Sequence, residues 1–268
     1  MNRMLKADLY RIFKSKLSLI TLILVVVFPL ITTGLYTLIN VALSFDDFSV
    51  TVLNANAIIR SAYSLSNNVG LVIPIFSGIL ICMDVTGGTL RNKVIAGNGR
   101  VTIYLSHLLS AVIFNVVSIT IYVLATAGFG MLLLPFEAPD GAEAIRQIVF
   151  WIITGTTSFI YVATISTFFA LTTKRVAPTI IFSLVVTVLL SFITSIVAFL
   201  DYENYRWVVY MIPTFTMSEL SLSGFASFGI SVLTVSMEEF IMGLVSFAFF
   251  GALNTVLGIL LFMKQDLK

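Results

Sequence analysis

The chain has 268 residues, 59% of them hydrophobic and only 10% charged, with a formal net charge of +2. Soluble globular domains carry roughly a quarter charged residues and about half apolar ones, so this composition excludes an ordinary soluble domain. It points to an all-α integral membrane protein. The net charge says little by itself, whereas the positions of the charges say much more.

Residues 1–16 come first and carry the basic residues Arg3, Lys6, Arg11, Lys14 and Lys16. On a helical wheel Leu5, Leu9, Ile12 and Phe13 share one face, spaced as an amphipathic helix requires, while Arg3, Lys6, Arg11 and Lys14 lie on the other side with Tyr10. Such a helix is expected to lie in the inner headgroup layer, where each cation near anionic lipid contributes about 1 kcal/mol. The alternative reading is a positive flank that only orients the first span. That span is too long for the apolar stretch of a secretory signal and lacks a small-residue cleavage site, so it is expected to be retained.

Uncharged runs follow at Leu17–Phe45, Ser61–Met83, Val101–Phe136, Gln147–Thr173, Val176–Leu200 and Phe240–Met263, each between 23 and 36 residues long. A helix needs about 20 apolar residues to cross the roughly 30 Å hydrocarbon layer, so all six qualify, with spans expected at 17–40, 62–84, 102–133, 147–172, 177–200 and 240–263. The Leu220–Met237 run has 18 uncharged residues but contains five serines, two glycines and one threonine, which makes it marginal as a lipid-facing span. With six spans and both termini in the cytoplasm, 12 of the 15 basic residues fall inside, leaving only Arg60, Arg146 and Arg206 outside. A seventh span would move Lys264 and Lys268 outward. The expected layout is therefore a single membrane domain over 1–268, with 201–239 as an outer re-entrant or interfacial segment.

The loop 85–100 between spans two and three is the most informative stretch. Gly87 and Gly88 should break the preceding span, Thr89 suits an N-cap, Leu90–Ala96 can be helical, and Gly97 sits where a left-handed cap belongs. Leu90 and Val94 share a face with Ile95 beside them, flanked by Arg91, Lys93 and Arg100. A short helix with an apolar knob and a basic rim suits a cytoplasmic partner's groove. A solvated turn whose charges merely keep the loop inside is an equally open reading.

The N-terminal basic helix, the six spans, the outer segment before the last span, and Asp84 followed by Gly87-Gly88-Thr89-Leu90-Arg91-Asn92-Lys93 together resemble an ABC-2 type transporter permease of Gram-positive bacteria, with a type V exporter-like fold. The likeness of topology covers essentially the whole chain, and only Asp84–Ser106 is motif-like. Relatives often carry glutamate where this chain has Asp84. The resemblance implies that the short helix is a coupling helix docking on a cytosolic ATPase, through Asp84, Gly88, Thr89, Leu90, Arg91, Lys93 and Val94. It also implies a second permease copy, ATP and Mg on the partner subunit, location in a bacterial plasma membrane, and an amphipathic peptide, bacteriocin or drug as exported cargo.

Other chemistry finds little support in the residues. The chain has no Gly-x-x-x-x-Gly-Lys-Ser/Thr stretch, so it has no P-loop to hold ATP phosphates. No Asp, Glu, Lys or Arg lies mid-span, as an ion-coupled carrier would require. The one histidine, His107, has no companions at metal-ligand spacing and reads as a packed or interfacial side chain. The one cysteine, Cys82, excludes an intramolecular disulfide and reads as a small hydrophobe. No catalytic residue, resident cofactor, metal or nucleic acid is expected. Asn67, Asn68, Asn115 and Asn254 are candidates to line a pathway or to join helices. An ATP-independent channel or carrier and a membrane immunity protein remain the alternatives.

Overall fold

Lipid offers no hydrogen bonds, and a helix is the local structure that pairs every backbone N–H and C=O within its own segment. The computed structural model describes residues 2–43, 55–63, 68–136, 141–200 and 237–265, and every regular element among them is helical. In chain order these are α1 (Asn2–Lys14), α2 (Lys16–Leu43), α3 (Ala55–Ser61), α4 (Asn68–Thr86), α5 (Thr89–Ile95), α6 (Arg100–Leu133), α7 (Gly141–Thr173), α8 (Val176–Leu200) and α9 (Met237–Lys264).

Four of them, α2, α6, α7 and α9, are long and apolar enough to cross a membrane, and α4 makes a fifth when taken with α5, which leaves its axis at 61°. The apolar stretch described in α8, Val176–Val186, is shorter. Residues 201–236 of the expected outer segment lie outside the described residues. Met237, Glu238 and Glu239, assigned to that segment on sequence, instead form the first turn of α9.

Local chemistry explains the joints. Ser15 separates α1 from α2, accepting a bond from the Ser18 amide at 3.1 Å while its hydroxyl donates to the Ile12 carbonyl at 2.8 Å, which caps the start of the long helix. Pro29 lies inside α2, and its own carbonyl accepts from the Thr33 hydroxyl at 2.6 Å. Many further hydroxyls bond back to their own helix in this way, among them Thr154 to Phe150 and Ser110 to Ser106. A small hydroxyl satisfied within its own turn can sit between helices at little cost.

α7 is the central element, touching α4, α6, α8 and α9. The middle of the bundle is filled by Val25, Ile73, Ile119, Tyr122, Phe159, Val162, Ile165 and Phe247, which are all buried. Two close approaches depend on glycine. A Cβ at Gly155 would overlap the Tyr63 ring, and one at Gly258 would overlap the Tyr104 hydroxyl. One end of the bundle gathers α1, α5, the ends of α4, α7 and α9, and the start of α6. There Arg100 donates to the carbonyls of Met263 and, at 2.8 Å, Gln265, while the Gln265 side chain donates to the Thr172 carbonyl at 3.1 Å. α3 sits at the opposite end, where the Ala55 amide bonds the Pro135 carbonyl at 3.0 Å and Ala55, Ile58 and Leu134 pack together.

Candidate functional site

The stretch after α4 turns because Gly88 adopts a left-handed backbone, φ +71°, which glycine reaches without steric cost. Gly97 does the same at the far end of α5, φ +82°. Between them α5 spans Thr89–Ile95, close to the expected Leu90–Ala96. The N-cap, however, is Gly88 and not Thr89. Thr89 is the first helical residue, and its hydroxyl donates to the Asp84 carbonyl at 2.7 Å, tying the short helix back to the end of α4.

The face of α5 expected to meet a partner turns inward. Leu90 is buried among Ile81, Cys82, Ile103, Tyr104 and Leu108, with Val94 packed beside it. An apolar knob on a seven-residue helix gains most from the nearest core, and here the chain's own core covers Leu90. The outward face is Arg91, Asn92 and Ile95, with Ile95 73% exposed.

Lys93 also points inward, into a cluster of charges closed by four helices. Its ammonium lies 2.6 Å from Asp8 Oδ1 on α1, 3.1 Å from His107 Nε2 on α6 and 3.7 Å from Asp84 Oδ2 on α4. Arg11 of α1 pairs with Asp84 and sits 3.7 Å from Asp8, and its guanidinium reaches the Thr89 hydroxyl at 3.4 Å. Ser106 donates to Asp8 Oδ2 at 2.7 Å. An ammonium can only donate, so the network assigns an accepting Nε2 to His107 and places its Nδ1 hydrogen toward Asp84 Oδ2, 3.7 Å away.

Asp8 and Asp84 are each 2% exposed and His107 1%. Two carboxylates against two cations leave the cluster neutral, as burial demands, because an unpaired ion costs several kcal/mol or more. Burial pushes the Asp8 carboxyl upward, but hydrogen bonds from Lys93 and Ser106 and the Lys93 charge outweigh it, and a proton on the His107 ring would lower it further. Asp8 therefore titrates below the ordinary carboxylate range. Burial lowers the Lys93 ammonium from its usual value, and its bond to Asp8 recovers only part of that. Arg11 is likewise lowered by burial, against the opposing pull of Asp8.

Of the residues singled out on sequence, the structure brings Asp84, Thr89, Lys93 and Arg11 together and leaves Arg91 outside. Arg11 leaves the outer face of α1 on which the helical wheel puts it. The helix packs through Asp8 and Ile12, with Leu5 and Leu9 half-buried and Phe13, its ring 6.1 Å from that of Phe114, still 38% exposed. Lys14 stays outside, bonded to the Tyr10 hydroxyl at 2.7 Å. Asn67 lies outside the described residues, and Asn68 opens α4. Asn115 is fully buried and donates to the Phe159 carbonyl at 3.4 Å, joining α6 to α7. Asn254 bonds the Tyr161 hydroxyl.

Asp8 and Ser106 are the members that sequence reasoning misses, while His107, read there as packed or interfacial, is buried in the cluster. One signal exists: Asp8 is the sole acidic residue of α1 and stands four residues before Ile12, on the face that packs. Among the described residues no three His, Cys, Asp or Glu side chains form a metal-binding group. No family model matches the chain, and no curated protein matches it in sequence.

Proposed function

We propose that the chain is the membrane-spanning permease of an ATP-driven exporter of the ABC-2 type, working as a dimer with a cytosolic ATPase on a separate polypeptide. The observation that carries this reading is α5: a stub helix anchored at one end of the bundle through Leu90 and Lys93, showing Arg91, Asn92 and the exposed Ile95 outward. Beside it α1 exposes Arg3, Lys6 and Lys14, and its one acid, Asp8, is buried. A basic surface with one apolar knob suits an acidic, apolar-floored groove on a cytosolic subunit.

Six spans with both termini cytoplasmic remain the preferred topology. Arg11 ties α1 to the end of α4, and Arg100 and Gln265 tie the end of α9 to α6 and α7, so these ends share one side. That side also carries Arg91, Lys174, Arg175 and Lys264, as a cytoplasmic face of a bacterial plasma membrane would. Helix α8, 25 residues long, would supply the sixth span. The cargo class, a hydrophobic or amphipathic peptide or drug, rests on analogy with related small permeases.

The test is affinity purification of the tagged full-length chain from its native membrane in mild detergent. A P-loop ATPase should co-purify in stoichiometric amount, and Arg91→Glu with Ile95→Asp should release it without loss of the permease from the membrane. Purification of the chain alone, or an ATPase that stays bound to the double variant, would sink the docking assignment.

A further inference from the structure

A seven-residue helix is too short to hold its shape or place by its own hydrogen bonds, and α5 is bounded by glycines in left-handed conformations at Gly88 and Gly97. Something other than the chain path therefore sets where α5 sits. Leu90 provides an apolar anchor, but apolar contact is non-directional and tolerates sliding. The only charged side chain of α5 that turns inward is Lys93, and it meets side chains from three other helices at once.

We propose that Lys93 is a locking pin that fixes α5 to α1 and α6, so that the three elements shift together and not separately. Asp8 holds the ammonium from α1 and is itself held by Ser106 of α6. His107, one residue further along α6, offers its Nε2 lone pair to the same ammonium. His107 is a positioning residue: it fills the third direction around the Lys93 head and orients it toward Asp8. Asp84 and Arg11 form the adjoining pair that fastens α1 to α4. The Asn98 side chain donates to the Lys93 carbonyl at 3.0 Å, so the exit from α5 is tied to the same residue.

The device belongs to this chain alone, and its test uses the purified chain in lipid nanodiscs with no ATPase present. It can fail while the exporter reading stands, and the reverse. Spin labels at Tyr10→Cys and Ile95→Cys, in a Cys82→Ser background, report the spread of distances between α1 and α5 by pulsed electron resonance. The pinned protein should give one narrow distribution. Lys93→Gln should widen it at least twofold. His107→Leu, which leaves both ion pairs in place, should widen it partially, and His107→Gln, which restores an acceptor, should narrow it again. If Lys93→Gln does not yield folded protein, the two His107 variants decide. An unchanged width in Lys93→Gln, or equal widths in His107→Leu and His107→Gln, would overturn the pin.

Discussion

Among the described residues, a buried charge cluster joins the helices at the α5 end, and apolar packing is prominent at the α3 end. At the α5 end, side chains 78 to 98 positions apart in sequence meet through charge-assisted bonds, such as Arg11 with Thr89 and Asp8 with Ser106. At the α3 end, Ala55, Ile58 and Leu134 pack against Tyr36, and the Phe150 and Phe240 rings stack at 4.2 Å. Ion pairs are directional and punish the loss of one partner, whereas apolar contacts are graded and forgiving. A part that must hold one orientation is better placed by the first kind than by the second.

The largest expected effect comes from breaking one buried pair. Asp84→Ala leaves Lys93 and the part-exposed Arg11 with excess positive charge and should destabilise the protein by about 3 kcal/mol, the low end for a buried pair because water screens Arg11. Thermal unfolding in detergent would measure it. Arg11→Met combined with Asp84→Leu, which removes both partners of the pair, should recover most of that loss. If the double variant is no better than the single one, the cost of Asp84→Ala has another source.

The middle of the molecule should respond less. Gly155→Ala places a Cβ against the Tyr63 ring and should cost about 1–3 kcal/mol through overpacking. Tyr63→Leu in the same chain should relieve part of it. At the α3 end, Ile58→Val trims one buried methylene and should cost only about 0.5–1.5 kcal/mol. An effect of Ile58→Val as large as that of Asp84→Ala would erase the contrast between the two ends.

The smallest expected effect is that of acid. The Asp8 carboxyl titrates below its ordinary 3.8 in the folded chain, so its contribution is full above that value and is lost as pH falls through the lower folded one. As pH falls below 3.8 the α1 amides should therefore lose hydrogen-exchange protection before those of α3. Simultaneous loss at both ends would place the sensitivity elsewhere.

Much of the architecture is legible in the order of the residues. The long helices follow the uncharged runs, because backbone pairing in an apolar solvent leaves no other choice. The expected bounds of α5 fall within one residue of the observed ones at each end, since Gly88 and Gly97 punctuate the chain on either side. The facing of short helices is not legible. On a wheel, α1 shows Leu5, Leu9, Ile12 and Phe13 as its natural inner stripe, yet the helix is rotated so that Asp8 and Arg11 turn inward. Leu90 and Val94 look like a partner's docking knob, yet in the folded chain Leu90 is buried and Val94 half-buried against the chain's own core. In both cases the pattern establishes that a helix has two faces, and only the neighbours decide which face is covered.

By itself, then, the sequence determined that this protein is helical, apolar over several membrane-length segments, and broken by a short glycine-bounded helix. These are consequences of local backbone chemistry and of composition. The tertiary structure decided that Asp8, Arg11, Asp84, Lys93 and His107 form one cluster around two buried carboxylates and a buried histidine. No local rule brings together residues up to 99 positions apart. Their meeting depends on how α1, α4, α5 and α6 pack, and burial then turns five ordinary surface-type residues into a neutral, interlocked group.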